Sequence, residues 1–190
     1  MIIDFSPLEL KHRYKIMSRS IIPRPIAWIV TEGKTINIAP FSYFMALSSN
    51  PPTLIVSIGH KKDGSQKDTL KNILQTKKCT ICSVTPDQIT QMHASSESLP
   101  EEVSEAEAFG IATKRIVEDF PPIITDSPSA FFCELNQVVD LQGSKTIPLI
   151  VEIKKYYIAD NYFDPNYNFE LDLVARVGRE YRLCNKKIEP

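Results

Sequence analysis

The stretch Thr35–Pro52 reads TINIAPFSYFMALSSNPP, and it decides the fold that we predict for this chain. Apolar and aromatic side chains dominate the stretch, but hydroxyl and amide groups recur along it at short intervals. Its prolines remove backbone donors and fix φ, so we expect the chain to bend at both ends of the stretch. This mixture suits the wall of a pocket that holds a flat apolar ligand with polar edges. The alternative is a buried strand with Ser and Asn in its flanking turns.

Size and composition narrow the class of protein. With 190 residues, 43% of them hydrophobic and 24% charged, the chain is expected to form one globular domain over residues 1–190. A net charge of −1 argues against a nucleic-acid partner, because binding to the phosphate backbone needs a basic surface. The N-terminus lacks the pattern of a signal peptide, and no apolar run is long enough to span a membrane. We therefore predict a cytoplasmic protein that does not bind a membrane.

Turn signals and hydrophobic periodicity predict a mainly β protein. Strands or strand-rich segments are expected at Ile21–Thr31, Thr35–Ile38, Thr53–Gly59, Cys79–Val84, Ala130–Leu141, Thr146–Ile158 and Leu173–Arg182. Short helices are expected at Ser6–Tyr14, Lys67–Thr76, Pro86–Met92 and Ser104–Phe109, and Ala94–Glu107 is expected to be an exposed acidic excursion. About seven strands with few helices predict a closed or partly open barrel.

The two cysteines of the Cys79-Thr80-Ile81-Cys82 motif lie in a β-branched segment that reads as a strand. Residues three apart on a strand face opposite sides, so we predict neither a disulfide between them nor a metal site. The histidines also give no metal-binding pattern. We expect His60 and His93 to be solvated, and His12 has no evident partner.

A second informative stretch is Lys67-Asp68-Thr69, which opens a predicted helix just after Gly64-Ser65. The N-terminus of a helix offers free N–H groups and a partial positive charge. A lysine ammonium and a threonine hydroxyl at that point make a candidate phosphate site. The alternative is a helix capped by Asp68 or Ser65 beside a solvated lysine.

Taken in order, the motifs of this chain resemble the flavin reductase-like family, whose members have the FMN-binding split-barrel fold. The motifs are Arg24-Pro25 on a strand, Asn37-Ile38-Ala39-Pro40-Phe41-Ser42, Ser48-Ser49-Asn50-Pro51-Pro52, Lys67-Asp68-Thr69 and Ala175-Arg176-Val177-Gly178 followed by Tyr181. The resemblance covers about Ile21 to Tyr181. It implies a Greek-key split β-barrel with a noncovalent FMN and a homodimer with flavin sites near the subunit interface.

The resemblance also implies a set of cofactor-binding residues. Asn37, Ala39, Pro40, Phe41 and Ser42 would border the isoalloxazine ring and ribityl chain, and Ser48, Ser49, Lys67 and Thr69 would hold the phosphate. Trp28 is a candidate for the ring pocket, with a core position as its alternative. Arg176 is a candidate for holding a phosphate of the nicotinamide dinucleotide, with a solvent-facing loop position as its alternative.

For function, the resemblance implies an enzyme in which NAD(P)H reduces bound flavin, which then reduces free flavin, a metal complex or a partner oxygenase. The alternative is an FMN-carrying electron-transfer protein like flavoredoxin, which takes electrons from another redox protein. The protein supplies orientation and polarisation to the cofactor, so we assign no general acid or base. Two departures from the family stand out. The late Gly-Asp-His of many short flavin reductases is absent, and the acidic stretch Glu97–Glu107 matches no family motif.

Overall fold

A computed structural model describes residues 1–185 and 188 of the chain. Its helices are α1 (Leu10–Ser20), α2 (Asp68–Thr76), α3 (Ile89–Ala94) and α4 (Glu105–Ala108), with 3₁₀ turns at Pro86–Gln88 and Asp160–Tyr162. The first six strands are β1 (Arg24–Pro25), β2 (Ala27–Glu32), β3 (Ile36–Phe41), β4 (Phe44–Ser49), β5 (Pro52–Gly59) and β6 (Lys78–Cys82). The others are β7 (Thr113–Lys114), β8 (Ile123–Ile124), β9 (Ser129–Val138), β10 (Thr146–Ile158), β11 (Val174–Val177) and β12 (Glu180–Leu183). The single-domain assignment over 1–190 stays a prediction, and Lys186, Lys187, Glu189 and Pro190 lie outside the described residues.

A seven-stranded sheet in the order β3-β2-β6-β9-β10-β5-β4 forms the centre of the protein, and every neighbouring pair in it is antiparallel. Both faces of the curled sheet are covered, since Trp28 and Val30 belong to one buried cluster and Ala27 and Ile29 belong to another. The alternation along β2 divides its side chains between the two clusters. The predicted mainly β class is confirmed.

The stretch Thr35–Pro52 forms both edges of this sheet. β3 is one edge strand and β4 is the other, and only Ser42 and Tyr43 connect them. The chain therefore bends two residues after Pro40 rather than at it. Pro40 fits within β3 because an edge strand has one side without ladder partners.

The free edge of β3 is covered by side chains from the start of α4. Ser104 Oγ donates to the Ile36 carbonyl at 2.7 Å, and the Ile38 N–H donates to Glu105 Oε2 at 3.0 Å. These two bonds replace ladder bonds that a neighbouring strand would make, and they protect the edge from pairing with another chain. The expectation that Ala94–Glu107 is exposed throughout is therefore wrong, because Glu105 is only 6% exposed.

Helix α1 begins and ends later than we predicted. It runs from Leu10 with Glu9 as N-cap, so the prediction of a helix over Ser6–Tyr14 is wrong at both ends. Tertiary contacts extend its last turn, since the Ser18 carbonyl accepts both the Arg24 guanidinium and the Gly178 N–H. Local sequence signals cannot report such a contact.

Other local predictions hold. β9 and β10 form the predicted long antiparallel hairpin. Cys79 and Cys82 lie in the two different core clusters, which confirms that they face opposite sides of β6. None of the described helices is long and apolar enough to cross a membrane.

Candidate functional site

A groove lies along β3, between the sheet, the start of α2 and the segment that follows α3. We call it the β3 groove. One end, the aromatic end, is lined by Tyr14, Ile26, Phe41, Ser42, Met92, His93, Arg176 and Tyr181. The other, the cationic end, is lined by Asn37, Ala39, Lys61, Lys67, Asp68, Thr69, Glu97, Ser98, Leu99 and Glu105. Pro40 and Ser96 line both ends, so the two ends adjoin each other.

Lys67 occupies an electrostatically unfavourable position at the cationic end. Its side chain is half-buried, and within the described part of the chain its ammonium makes no hydrogen bond or ion pair. Burial lowers the pKa of Lys67, nearby Lys61 lowers it further, and Asp68 partly offsets both. The ammonium lies over the ring of Phe41, at 5.6 Å from its centroid. A half-buried cation in this setting is stabilised by an incoming anion.

The start of α2 adds hydrogen-bond donors beside Lys67. Lys67 is the N-cap residue, and no side chain caps the helix. The alternative in which Asp68 or Ser65 caps the helix is therefore not realised. Asp68 instead pairs with Lys61 at 2.8 Å, and Ser65 bonds to Asp63. The free N–H groups of the first turn and the helix dipole both favour a bound anion here.

Asn37 and Thr69 lie in a buried polar cluster beneath the cationic end. The Asn37 side-chain amide donates to Thr69 Oγ at 2.9 Å and to Thr31 Oγ at 3.2 Å. The Asn72 amide also donates to Thr31 Oγ, at 3.1 Å. With both amide protons of Asn37 committed, its carbonyl oxygen and the Thr69 hydroxyl proton remain for a ligand. The cluster also locks the start of α2 against β2 and β3.

Glu105 places a buried carboxyl in the wall of the cationic end. Burial raises the pKa of Glu105, and this outweighs the hydrogen bond from Ile38, which lowers it. Two ion pairs hold the acidic excursion near this residue. The Lys71 ammonium contacts Glu101 at 2.7 Å, and the Lys34 ammonium contacts Glu102 at 3.2 Å. The stretch that matched no motif thus builds one side of the groove.

Three side chains form a linked set at the aromatic end. The Arg176 guanidinium lies over the Tyr181 ring, 4.3 Å from its centroid. The Tyr181 hydroxyl is 2.8 Å from His93 Nδ1, and the two rings meet edge to face. His93 is exposed, as expected, and it also contacts this tyrosine. No local pattern links His93 to a tyrosine 88 residues later, so sequence reasoning missed the pair.

The structure brings together eight of the eleven predicted cofactor-binding residues. Those that line the groove are Asn37, Ala39, Pro40, Phe41, Ser42, Lys67, Thr69 and Arg176. Trp28 does not line it, because its side chain is fully buried and its indole N–H donates to Ser95 Oγ at 2.9 Å. The core alternative for Trp28 is the correct one. Trp28 supports the groove indirectly, because its hydrogen bond holds Ser95 in place.

Ser48 and Ser49 also lie away from the groove. Both are exposed at the end of β4, where Ser49 pairs with Pro52 at the start of β5. They lie beside the start of β5, and Lys67 follows the loop at the other end of that strand. Neither serine lines either end of the groove, and their assignment to the phosphate stays a prediction.

Comparison with known proteins identifies the family. The family model of the flavin reductase like domain matches residues 17–172. The chain belongs to this family. An uncharacterized protein of Aquifex aeolicus is 31% identical over 173 residues, covering 87% of this chain and 85% of its own length.

Solved structures give the same fold. The nitrilotriacetate monooxygenase component B from Bacillus cereus superposes with a TM-score of 0.92 at 24% identity, covering 100% of this chain and 98% of its own. A protein with a split barrel domain from Shewanella frigidimarina superposes with a TM-score of 0.83 at 24% identity and the same coverage of both chains. The split-barrel prediction is confirmed, and membership of the family supports a flavin oxidoreductase function.

Proposed function

We propose that this protein binds FMN in the β3 groove and uses NAD(P)H to reduce it. One observation carries the proposal: the half-buried Lys67, without an anionic partner among the described residues, stands at an uncapped helix start beside an aromatic groove. FMN combines a flat aromatic ring with a phosphate, and the two ends of the groove offer surfaces of those two kinds. The residues present therefore fit the cofactor.

The cationic end would hold the phosphate of FMN. Lys67 would supply the charge, the first N–H groups of α2 would supply donors, and the Thr69 hydroxyl would supply another. Lys61 neutralises Asp68, whose carboxylate would otherwise repel the phosphate. Asn37, with its amide oriented by Thr31 and Thr69, would present its carbonyl to the ribityl hydroxyls.

The aromatic end would hold the ring. Phe41 and Ser42 lie at the end of β3, and Ala39 and Pro40 lead back toward the ribityl chain. When bound, FMN accepts a hydride on its ring and passes electrons on, which is chemistry that side chains lack. The contribution of the protein is to hold the ring with one face open to a second planar ring.

The Arg176–Tyr181–His93 set would hold the nicotinamide donor beside the flavin. A guanidinium stacked on a tyrosine has its planar face occupied, while its N–H edge remains free for a phosphate or an amide. His93 fixes the Tyr181 hydroxyl, and this in turn fixes the platform for Arg176. Arg176 therefore acts in binding the donor and takes no part in the chemical step.

We also propose a homodimer, because several large apolar side chains of α1 and β4 are exposed. Leu10 and Ile21 at the ends of α1 are 79% and 60% exposed, and Met45 and Leu47 on edge strand β4 are 60% and 50% exposed. A second copy of the chain is the occupant that this family implies. The aromatic tail Tyr156–Phe169, with Phe163 and Tyr167 exposed, is a second candidate for this contact.

The final acceptor would be free flavin, a metal complex or a partner oxygenase. The similarity to a monooxygenase component B is compatible with an oxygenase partner. An electron-carrier role, in which another protein reduces the flavin, is the alternative, and it predicts a different result in the test below.

The test is anaerobic reduction of the bound flavin. NADH or NADPH should bleach its absorbance, and Arg176→Ala should raise the KM for the nicotinamide about tenfold while FMN stays bound. Arg182→Ala is the matched control, because Arg182 lies on the same hairpin, is exposed and lines neither end of the groove. If neither nicotinamide reduces the flavin while dithionite does, the electron-carrier role replaces the reductase role.

A further inference from the structure

A second cavity lies between α1 and the turn that joins β11 to β12. Its volume is about 370 Å³, within the range of small-molecule sites. Four cationic side chains line it: Lys11, Lys15 and Arg19 from successive turns of α1, and Arg179 from the β11–β12 turn. We call it the cationic cavity.

The concentration of positive charge in this cavity is unusual for a chain whose net charge is −1. Glu9 contacts Lys11 at 2.8 Å, and Glu180 lies 3.9 Å from Arg19. Within the described residues Lys15 and Arg179 have no acidic partner, and no carboxylate lines the cavity. Clustered cations repel one another, and an anion among them relieves the repulsion.

Hydrogen bonds join the two elements that line the cationic cavity, α1 and the β11–β12 turn. Arg24 is 5% exposed, and its guanidinium donates to the carbonyls of Ser18 on α1 and Gly178 on the turn. The Gly178 N–H also donates to the Ser18 carbonyl, at 2.8 Å. Gly178 has a φ of +56°, and an added Cβ there would lie 3.3 Å from Arg19 Cγ. The cationic groups therefore project from two elements that are fixed relative to each other.

The cationic cavity adjoins the aromatic end of the β3 groove. Tyr14 lines both spaces. One hairpin also serves both, since Arg176 and Tyr181 face the groove while Gly178 and Arg179 line the cavity. A ligand with a planar ring in the groove and phosphates farther along would pass Tyr14 and place its phosphates among the cations.

We propose that the cationic cavity binds the adenylate phosphates of the nicotinamide dinucleotide that reduces the flavin, with Lys15 and Arg179 as the principal contacts. This inference rests on the proposed function and deepens it, because it separates two parts of donor binding. Arg176 lies at the nicotinamide end, and the α1 cations lie at the adenylate end. The phosphates in question are the pyrophosphate or the 2′-phosphate of the adenosine ribose.

The direct test is titration calorimetry of the FMN-loaded protein with ADP and with 2′,5′-ADP. Both nucleotides should bind, and Lys15→Gln and Arg179→Gln should each weaken binding about tenfold or more. The control is Lys155→Gln, which removes an exposed charge from β10, away from the cavity. Tighter binding of 2′,5′-ADP than of ADP would assign the cavity to a 2′-phosphate, and equal binding would assign it to the pyrophosphate.

A kinetic arm compares the dinucleotide with reduced nicotinamide mononucleotide, which lacks the adenylate half. Lys15→Gln should raise the KM for NADH or NADPH and leave the KM for the mononucleotide unchanged. A purely structural effect of the substitution would change both. Absence of saturable nucleotide binding, or equal binding by both variants and the control, would overturn the inference even if NAD(P)H reduces the flavin. Nucleotide binding without any reduction of the flavin would instead overturn the reductase proposal.

Discussion

Substitution of Lys67 by alanine separates the phosphate contribution to FMN binding from that of the ring. Riboflavin has the same ring and ribityl chain as FMN but lacks the phosphate. If Lys67 contacts the phosphate, Lys67→Ala should weaken FMN strongly and leave riboflavin almost unchanged. Both ligands should still occupy the same groove, because Lys67 is not among the residues that line the aromatic end.

The size of the effect follows from the setting of Lys67. A hydrogen bond to a charged group contributes about 1.5–3 kcal/mol, and each 1.4 kcal/mol is tenfold in Kd. We therefore expect FMN to bind roughly ten- to hundred-fold more weakly. In the protein without FMN, we expect the Lys67 charge to be unfavourable rather than favourable. Burial lowers the pKa of Lys67, so the charged form destabilises the fold at neutral pH. Removal of that charge should leave the Tm of the apoprotein unchanged or raise it.

The assay is quenching of flavin fluorescence at several protein concentrations, with thermal unfolding of the apoprotein measured in parallel. Lys62→Ala is the matched control, because Lys62 lies in the same loop, is exposed and lines neither end of the groove. An equal loss of affinity for FMN and riboflavin would refute the phosphate assignment. The phosphate assignment would also be refuted if Lys62→Ala weakened FMN binding as much as Lys67→Ala, since the effect would then reflect the overall charge of the protein.

Three further predictions concern assembly, pH and the cysteines. Sedimentation at micromolar concentration should give about twice the chain mass, and Met45→Asp combined with Leu47→Asp should yield monomers; a wild-type monomer that binds FMN would contradict the dimer. Because burial raises the pKa of Glu105, its ionisation costs stability as pH rises through that pKa. Glu105→Gln should raise the Tm at pH 8 and change it little at pH 4, and the reverse pattern would show that the ionised carboxylate stabilises the fold. Cys79 and Cys82 lie in opposite clusters, so native mass spectrometry should detect neither a disulfide between them nor zinc, and stoichiometric zinc would disprove this.

The fold could be predicted wherever local signals were sufficient. The β9–β10 hairpin, helix α2 and the turn after β2 each follow from periodicity and turn residues close together in sequence. The limits of α1 could not be predicted this way, because contacts from Arg24 and Gly178 hold its last turn. Contacts between distant residues leave no periodic trace in a single sequence.

The same division applies to the groove. Residues of β3 and the start of α2 were predicted because each group lies in one short motif. Ser48 and Ser49 lie outside the groove of this chain, because β4 follows the Asn37–Ser42 motif at the opposite edge of the sheet. Glu105 and His93 were missed for the complementary reason. Each meets its partner across 67 and 88 residues, respectively.

The arginine of the Arg24-Pro25 motif shows that motifs at opposite ends of the chain form one structural unit. β1 pairs with β11 so that Arg24 lies opposite Arg176 and Pro25 opposite Ala175. Arg24 is buried, and its charge is met by main-chain carbonyls of Ser18, Ile21 and Gly178. It therefore joins α1 to the hairpin that carries Arg176. Because that hairpin faces the groove on one side and the cationic cavity on the other, Arg24 positions both ends of the proposed donor site without contacting the donor.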